Sequence, residues 1–205
     1  MPPDRKRAAG VKHDAATLTA LLLQCLPRTY RIAAALSGDL DRAAQISQRI
    51  LRQSLRIHQA WQSQTDPLRW FVHHTVLAAR EFDKREFHAQ TDPLLALSSD
   101  PALATLFRTL RFLPMQQREA FLLHHGEGLE IRQVATAMDC STAAAANHLV
   151  AATRALEPIA SNRLSEFTAA LPTLLVRLVP PGDTMDEQIR REVRRHRWTR
   201  WVRFW

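Results

Sequence analysis

Paired histidines at positions 73–74 and 124–125 are the residues whose type and spacing come nearest to a metal site. Successive residues of a helix point about 100° apart, so adjacent histidines rarely bind the same ion. The two cysteines, Cys25 and Cys140, lie far apart in the sequence and match no zinc spacing. No Ser/His/Asp, GxGxxG or phosphate-loop pattern occurs. We therefore expect structural or solvent-facing histidines, no metal, no cofactor and no enzymatic activity.

Hydrogen bonding to DNA bases is the chemistry suggested by residues 138–156, MDCSTAAAANHLVAATRAL. A turn at 139–141 precedes an alanine-rich helix, for which Ser141 is a good N-cap. An α-helix fits the major groove, where Asn pairs with adenine and Ala or Thr touches a thymine methyl. Yet residues 142–153 contain no charged side chain, although phosphate contacts dominate affinity. Two interpretations stay open: a weakly binding DNA-reading helix, or a helix whose alanines serve only packing.

The positive charge of the chain is concentrated at its two ends. The net charge is +8, of which residues 1–12 carry +3 and residues 190–205 carry +6, which leaves −1 for residues 13–189. A near-neutral middle exerts little long-range attraction on a phosphate backbone.

The composition predicts an all-helical protein. Only 5 of the 205 residues are Gly, and Ala, Leu, Gln and Arg outnumber the β-branched residues. No apolar run approaches the roughly 18 residues that a membrane span needs. With two unpaired cysteines, the sequence predicts a reduced cytoplasmic protein.

Prolines and caps predict where helices begin. A first helix begins near Asp14 and Pro27 starts a second, because proline is favoured in the first turn of a helix. A third runs from about Asp41 to Ala60 with a wide apolar face, formed by Ala43, Ala44, Ile46, Ile50, Leu51, Leu55 and Ile57. Asp66-Pro67 caps and starts a fourth.

The second half of the chain follows the same signals. Pro101 and Pro114 each start a helix, a short helix ends near Met138, and the alanine-rich helix runs to about Ala160. One or two further helical pieces are broken at Pro172. Thr184-Met-Asp-Glu187 is a capping box that opens the last helix.

Residues 113–156 resemble region 4 of bacterial extracytoplasmic-function sigma factors. The matching features fall in register without a gap: Leu113-Pro114, Gln117-Arg118-Glu119, Leu122-Leu123, Glu127-Gly128-Leu129, Val134-Ala135, Ser141, Leu149 and Ala155-Leu156. More loosely, YRIAAALSGDLDRAAQISQRIL resembles the region 2 helices that bind the polymerase clamp, and DPLRWFVHHTVLAARE the tryptophan-led helix that follows. The resemblance extends over roughly residues 20–156.

The resemblance implies an all-α fold of two small helical domains with a helical C-terminal extension. We expect a basic disordered N-terminus at 1–13, a region 2-like domain at 14–88, a linker at 89–100, a region 4-like helix-turn-helix domain at 101–160 and the extension at 161–205.

The same resemblance implies a transcription initiation protein whose partners are core RNA polymerase, promoter DNA and an anti-sigma factor. It places polymerase binding at Gln48, Arg49 and Arg52. It places DNA binding at six positions of the helix-turn-helix: Ser141, Thr142, Ala144, Asn147, His148 and Arg154.

The chain departs from the family pattern at several of these surfaces. Ala44-Gln45 replaces the usual acidic pair before Gln48. Leu77 and Glu81 replace the usual Asn and Asp of the fourth helix. Ala146, His148 and Ala151 stand where the family usually has basic residues.

Aromatic residues near position 61 raise the question of strand opening, since stacking captures exposed bases. Trp70 and Phe71 are better explained as core of the fourth helix. Trp61 leads a polar loop and is the better candidate for an exposed aromatic.

The C-terminal tail, IRREVRRHRWTRWVRFW, is the last unusual feature. Its tryptophans recur on one side of a helix, and arginines surround them. Such a helix suits an anionic membrane surface, an acidic protein or nucleic acid through Arg194, Arg197, Trp198, Trp201 and Trp205. It could equally dock on the protein's own surface. The alternative function is therefore a divergent sigma-like regulatory or adaptor module with weak DNA binding, which its tail targets to a partner or to a membrane surface. The expected location is the cytoplasm, with the inner membrane face as the alternative.

Overall fold

The computed structural model describes residues 15–58, 61, 66–83, 92–97, 99–160, 162–180 and 184–202, except the side chains at 66, 82–83, 184 and 197–202. Every regular element within these residues is helical, which confirms the all-α prediction. The helices are α1 (Ala15–Ser37), α2 (Leu40–Ile57), α3 (Asp66–Asp83), α4 (Pro101–Phe112), α5 (Met115–Phe121), α6 (Ile131–Met138), α7 (Thr142–Ala160), α8 (Leu164–Val176) and α9 (Thr184–Val202). A 3-10 turn lies at Leu95–Leu97, and a π turn at Leu122–Gly126 continues α5.

Pro27 lies inside α1, so the prediction that it starts a new helix is wrong. Proline in a helix interior removes a backbone hydrogen bond and costs about 3 kcal/mol. Packing offsets that cost, because Leu22, Leu26 and Tyr30 on both sides of the proline are buried. One continuous apolar face therefore keeps the helix unbroken.

Gly38 and Asp39 form the turn between α1 and α2. Gly38 has a φ of 70°, a conformation that glycine adopts without strain. Asp39 Oδ1 accepts hydrogen bonds from the backbone N–H groups of Asp41 and Arg42, at 2.8 and 3.0 Å. The predicted apolar face of α2 is confirmed: five of its residues are buried (Ala43, Ile46, Ile50, Leu51 and Leu55).

Residues 92–97, which belong to the predicted linker, contribute to the core. Leu94 is fully buried. The Asp92 carboxylate accepts two hydrogen bonds from the buried Arg111 guanidinium of α4, at 2.6 and 3.1 Å. Arg111 also donates to the backbone carbonyls of Leu36 and Ala35, at 2.8 and 2.9 Å. It thereby joins α1, the 92–97 segment and α4, while the predicted domain limits stay a prediction.

The helix α8 is continuous through Pro172, although the sequence predicts a break there. Its residues Phe167, Leu171 and Leu175 recur every four positions and are all buried. The Phe167 ring lies 5.1 Å from that of Phe107 and 6.1 Å from that of Phe121, centre to centre. Packing against α4 and α5 again outweighs the missing hydrogen bond.

Gly126 of the π turn lies against the Leu171 and Leu175 side chains of α8. A Cβ at this position would lie 2.3 Å from Leu175 Cδ1. We expect Gly126→Ala to lower the free energy of unfolding by about 1–3 kcal/mol through overpacking, as measured by urea titration. Leu175→Ala removes the opposing atom, so the double variant should lose less than the two single losses combined. Additive losses would contradict this explanation.

Candidate nucleic-acid interface

The turn between α6 and α7 is tightly specified. Asp139 has a φ of 55°, and the Cys140 N–H donates to the Ala135 carbonyl at 3.0 Å, which ends α6. Ser141 Oγ then accepts a hydrogen bond from the Ala144 N–H at 3.1 Å. The predicted Ser141 cap is confirmed. The residues at the start of α7, 141–143, are exposed to solvent.

The alanines of α7 both pack the helix and leave one side of it open. Ala145, Ala152, Leu156 and Ala160 are buried against neighbouring helices, including α5 and α6. An exposed stripe runs along the opposite side, formed by Ala143, Asn147, Val150 and Arg154. Dense packing and a free surface therefore exist on the same helix.

The predicted DNA-binding residues lie mostly on this open side. Ser141, Thr142, Asn147 and Arg154 are exposed, whereas Ala144 and His148 are half-buried. The N-terminal amides and the helix dipole favour an anion at the start of α7. This surface presents the side-chain amide of Asn147, several methyl groups and the cation of Arg154. Its chemistry therefore suits contacts to bases better than contacts to phosphates. Its assignment to DNA stays a prediction.

The predicted polymerase-binding residues lie on α2. Gln48 and Arg52 are exposed one turn apart. Arg49 forms an ion pair with Glu81 of α3, with a second contact of 3.2 Å between Nη2 and Oε1. Hydrogen bonding from Arg49 lowers the pKa of Glu81 below its usual range. The three side chains share one region of surface, and their binding role stays a prediction.

Residues 104–156 match the family described as Sigma-70, region 4. This stretch is similar to a sigma-70 region 4 domain. The fold is also similar to a chain in the co-crystal structure of the sigma factor RpoE in complex with the anti-sigma factor NepR from Bartonella quintana. That likeness has a TM-score of 0.55 at 18% identity and covers 70% of this chain and 96% of the other. No curated protein matches the sequence. The resemblance to sigma factors is thus confirmed.

Two carboxylates connect residues 104–156 to the N-terminal helices through ion pairs, and no sequence pattern predicts a role for either. Glu119 is 1% exposed and accepts two hydrogen bonds from Arg80 of α3, at 2.8 and 2.7 Å. Glu127 accepts from Arg28 at 2.7 Å and from Arg31 at 2.6 and 2.9 Å, both on α1. The arginines on otherwise apolar stretches of α1 and α3 were the feature of the sequence that could have indicated these buried ion pairs.

Trp61 is buried, so its prediction as an exposed aromatic is wrong. Its side chain is 5% exposed, and its ring centre lies 6.0 Å from those of Trp70 and Phe71. Phe71 is core as predicted, and Trp70 is half-buried. Apolar contact with α3 draws Trp61 inward despite its polar neighbours.

The histidine pairs contact backbone carbonyls. His124 Nδ1 lies 2.8 Å from the Leu129 carbonyl oxygen, and His73 Nδ1 lies 3.3 Å from that of Ala137. Within the described ranges, no group of three or more His, Cys, Asp or Glu residues could hold a metal ion. These contacts fit the structural role expected of the pairs.

His125 makes the folded protein sensitive to acid. Burial, with a smaller contribution from His124, lowers the pKa of His125 to about 4 from its ordinary 6.5. The unfolded chain therefore binds more protons than the folded one between about pH 4 and 6.5, and stability falls as pH drops through this window. We expect the urea midpoint to fall less from pH 7 to pH 5 in His125→Gln than in the parent. If the urea midpoint fell equally in the parent and in His125→Gln, each compared with its own value at pH 7, His125 would not be the source of the acid sensitivity.

The extension after region 4 ends in α9, which packs against α1 and α2. Ile189 is fully buried and Val193 is 4% exposed, while Arg194 is exposed. The side chains of Arg197, Trp198 and Trp201, and all of Trp205, lie outside the described residues, so their surface role stays a prediction. Among the helices in the described part of the chain, none is long and apolar enough to cross a membrane.

Proposed function

We propose that this protein is a sigma factor that binds core RNA polymerase and directs it to promoters. The observation that carries the proposal is a region 4 domain in which Ser141 caps a helix with a fully open side. The likeness of fold to the sigma factor complex, over 70% of this chain, supports the same conclusion. The role is binding and positioning, without catalysis by the protein itself.

In this proposal α7 enters the major groove at the −35 element. Asn147 is placed to pair with adenine, and Thr142 and Ala144 contact thymine methyls. Ser141 lies at the helix start, where backbone N–H groups bind phosphate. His148 and Arg154 are the remaining proposed DNA contacts of α7, and Arg132 of α6 is a further contact to phosphate.

Polymerase supplies the affinity that α7 lacks. Gln48, Arg49 and Arg52 on α2 dock on the polymerase clamp. Binding to polymerase raises the local concentration of α7 at the promoter, so a low intrinsic affinity suffices. The loop before α3 and α3 itself approach the −10 element, with Trp61 as a core residue of that region instead of a base-stacking one.

An anti-sigma factor is a further proposed partner. The structural relative is itself a sigma factor in complex with the anti-sigma factor NepR. The reduced cysteines, Cys25 and Cys140, are consistent with a cytoplasmic location.

The decisive experiment is binding of the full chain to core RNA polymerase followed by transcription. We expect the complex to co-purify and to start transcripts at specific promoters that core polymerase alone does not use. A chain that neither binds core polymerase nor supports any promoter-specific transcript would contradict the proposal.

A second candidate is a sigma-like adaptor held to its target by the tail, favoured by the exposed arginines of α9. Duplex-DNA binding separates the two. If Arg190→Gln/Arg191→Gln/Arg194→Gln abolishes binding and its salt dependence while Asn147→Ala changes neither, DNA affinity resides in the tail and the adaptor is favoured.

A further inference from the structure

A small cleft lies between α3 and α6. Its volume is about 170 Å³, close to the roughly 150 Å³ of an apolar cavity that binds one benzene. The cleft therefore has room for one ring with a small substituent, whereas a helix of a second protein, about 10–12 Å across, is too wide to enter it. Eight residues line it: three from α3 (Leu68, Arg69 and Val72) and five from α6 and the turn before it (Leu129, Arg132, Gln133, Thr136 and Ala137).

Contacts outside the cleft hold its two walls together. Arg80 of α3 donates to the Met138 carbonyl at 3.0 Å and pairs with the buried Glu119. His73 Nδ1 lies 3.3 Å from the Ala137 carbonyl oxygen. Neither contact needs an occupant, so the cleft is formed in the free protein, as most small-molecule sites are.

The inner surface of the cleft is apolar. Val72 and Ala137 are 4% and 3% exposed, and Leu129 is 9% exposed. Leu68 lies at the start of α3 and keeps 37% of its surface exposed. A ring that fills the cleft removes apolar surface from water, which favours binding. A hydrated inorganic anion gains nothing from these side chains.

The charged and amide groups of the cleft are free only as hydrogen-bond donors. Arg69 and Arg132 are exposed, and neither guanidinium forms an ion pair within the described part of the chain. The Gln133 side-chain oxygen accepts from the Glu130 N–H at 2.9 Å, which leaves the NH2 group of Gln133 to donate. These groups therefore favour an occupant that accepts hydrogen bonds and carries negative charge.

We propose that this cleft binds a small aromatic carboxylate. The ring lies on Leu68, Val72 and Ala137, and the carboxylate is bound by Arg69 and Arg132. Guanidinium groups suit this role because their paired N–H groups match the two oxygens of a carboxylate. The ligand contacts α3 and α6 at once and so strengthens the contact between them.

The site goes beyond the proposed function, because it lies outside the predicted polymerase-binding surface of α2 and outside α7. Arg132 belongs to both, since it is also a proposed phosphate contact. A bound carboxylate therefore competes with DNA for Arg132. This consequence rests on the proposed function, whereas the existence of the site does not.

Binding is measured by fluorine NMR of 4-fluorobenzoate titrated with the full chain. We expect a dissociation constant of about 1 mM or lower, as for an efficient ligand of about ten non-hydrogen atoms. The neutral 4-fluorobenzamide has nearly the same shape and should bind about tenfold more weakly, and inorganic phosphate should displace 4-fluorobenzoate far less effectively than benzoate does. Equal affinity for the two fluorinated compounds, or equal displacement by phosphate and benzoate, would overturn the proposal.

Arg69→Gln and Arg132→Gln identify the site. Each should weaken 4-fluorobenzoate binding about threefold, because the two arginines are exposed, and the double variant should bind it no better than 4-fluorobenzamide. Leu68→Ala should weaken both compounds alike, since it removes apolar contact and keeps the charges. Arg108→Gln is the matched control, an exposed arginine of α4, and should leave both affinities unchanged. Circular dichroism checks that each variant is folded. A double variant that still prefers the carboxylate would overturn the proposal.

Competition for Arg132 is measured by duplex-DNA binding at constant ionic strength. We expect saturating sodium 4-fluorobenzoate to weaken DNA binding up to about eightfold relative to the same concentration of sodium chloride at 0.1 M total salt, the effect of losing one phosphate contact. Arg132→Gln should show no such difference. Equal DNA binding in the two salts would overturn the competition. If the protein binds no DNA, the proposed function fails, and the NMR titration still decides whether the carboxylate site exists.

Discussion

Replacing Arg111 with alanine should lower the free energy of unfolding by about 3–5 kcal/mol, the usual effect of removing one partner from a buried ion pair. The Arg111 and Asp92 side chains are 3% and 0% exposed. The change leaves the Asp92 carboxylate buried without its cation. It also deprives the Ala35 and Leu36 carbonyls of their donor. Urea unfolding followed by circular dichroism measures the loss.

The matched control is Arg108→Ala, because Arg108 lies on the same helix and is exposed. It should change stability by less than about 0.5 kcal/mol, as most surface substitutions do. The double variant Asp92→Leu/Arg111→Met removes both charges and should be more stable than Arg111→Ala. A double variant that is no more stable would show that the carbonyl contacts, and not the ion pair, dominate.

The sequence predicted the positions that depend on local rules. Ser141 caps α7 as predicted, because a side-chain oxygen needs only an amide three residues away. The apolar face of α2 followed from its periodicity for the same reason. Pro27 and Pro172 were misjudged because their effect depends on distant packing: each lies in a helix whose buried residues continue on both sides of it.

The candidate site could be predicted only in part. The open stripe of α7 follows from its buried alanines, since residues four and seven positions apart share a helix face. The ion pairs of Glu119 and Glu127 join residues 39 to 99 positions apart, and a single sequence gives no means of pairing them. The burial of Trp61 and the packing of α9 against α2 could not be predicted either, because each depends on a tertiary contact.

Adding two arginines to the open stripe of α7 should convert it into a strong DNA binder. Ala143 and Val150 are exposed on either side of Asn147. Each new phosphate contact should steepen the dependence of log K on log salt by about 0.9 and raise affinity about eightfold at 0.1 M salt. Ala143→Arg/Val150→Arg should therefore bind duplex DNA about sixty-fold more tightly than the parent at that salt concentration. Fluorescence anisotropy across a salt series measures both quantities.

The matched control is Ala169→Arg/Val176→Arg, which makes the same two substitutions at the same spacing on exposed positions of α8. It adds equal charge away from α7, so any gain should be small and the salt slope should stay near that of the parent. Equal gains in the two variants would mean that net charge alone governs binding and that α7 has no privileged contact with DNA. A gain confined to the α7 variant would place the groove against this helix, because only direct phosphate contacts release counterions in proportion to their number.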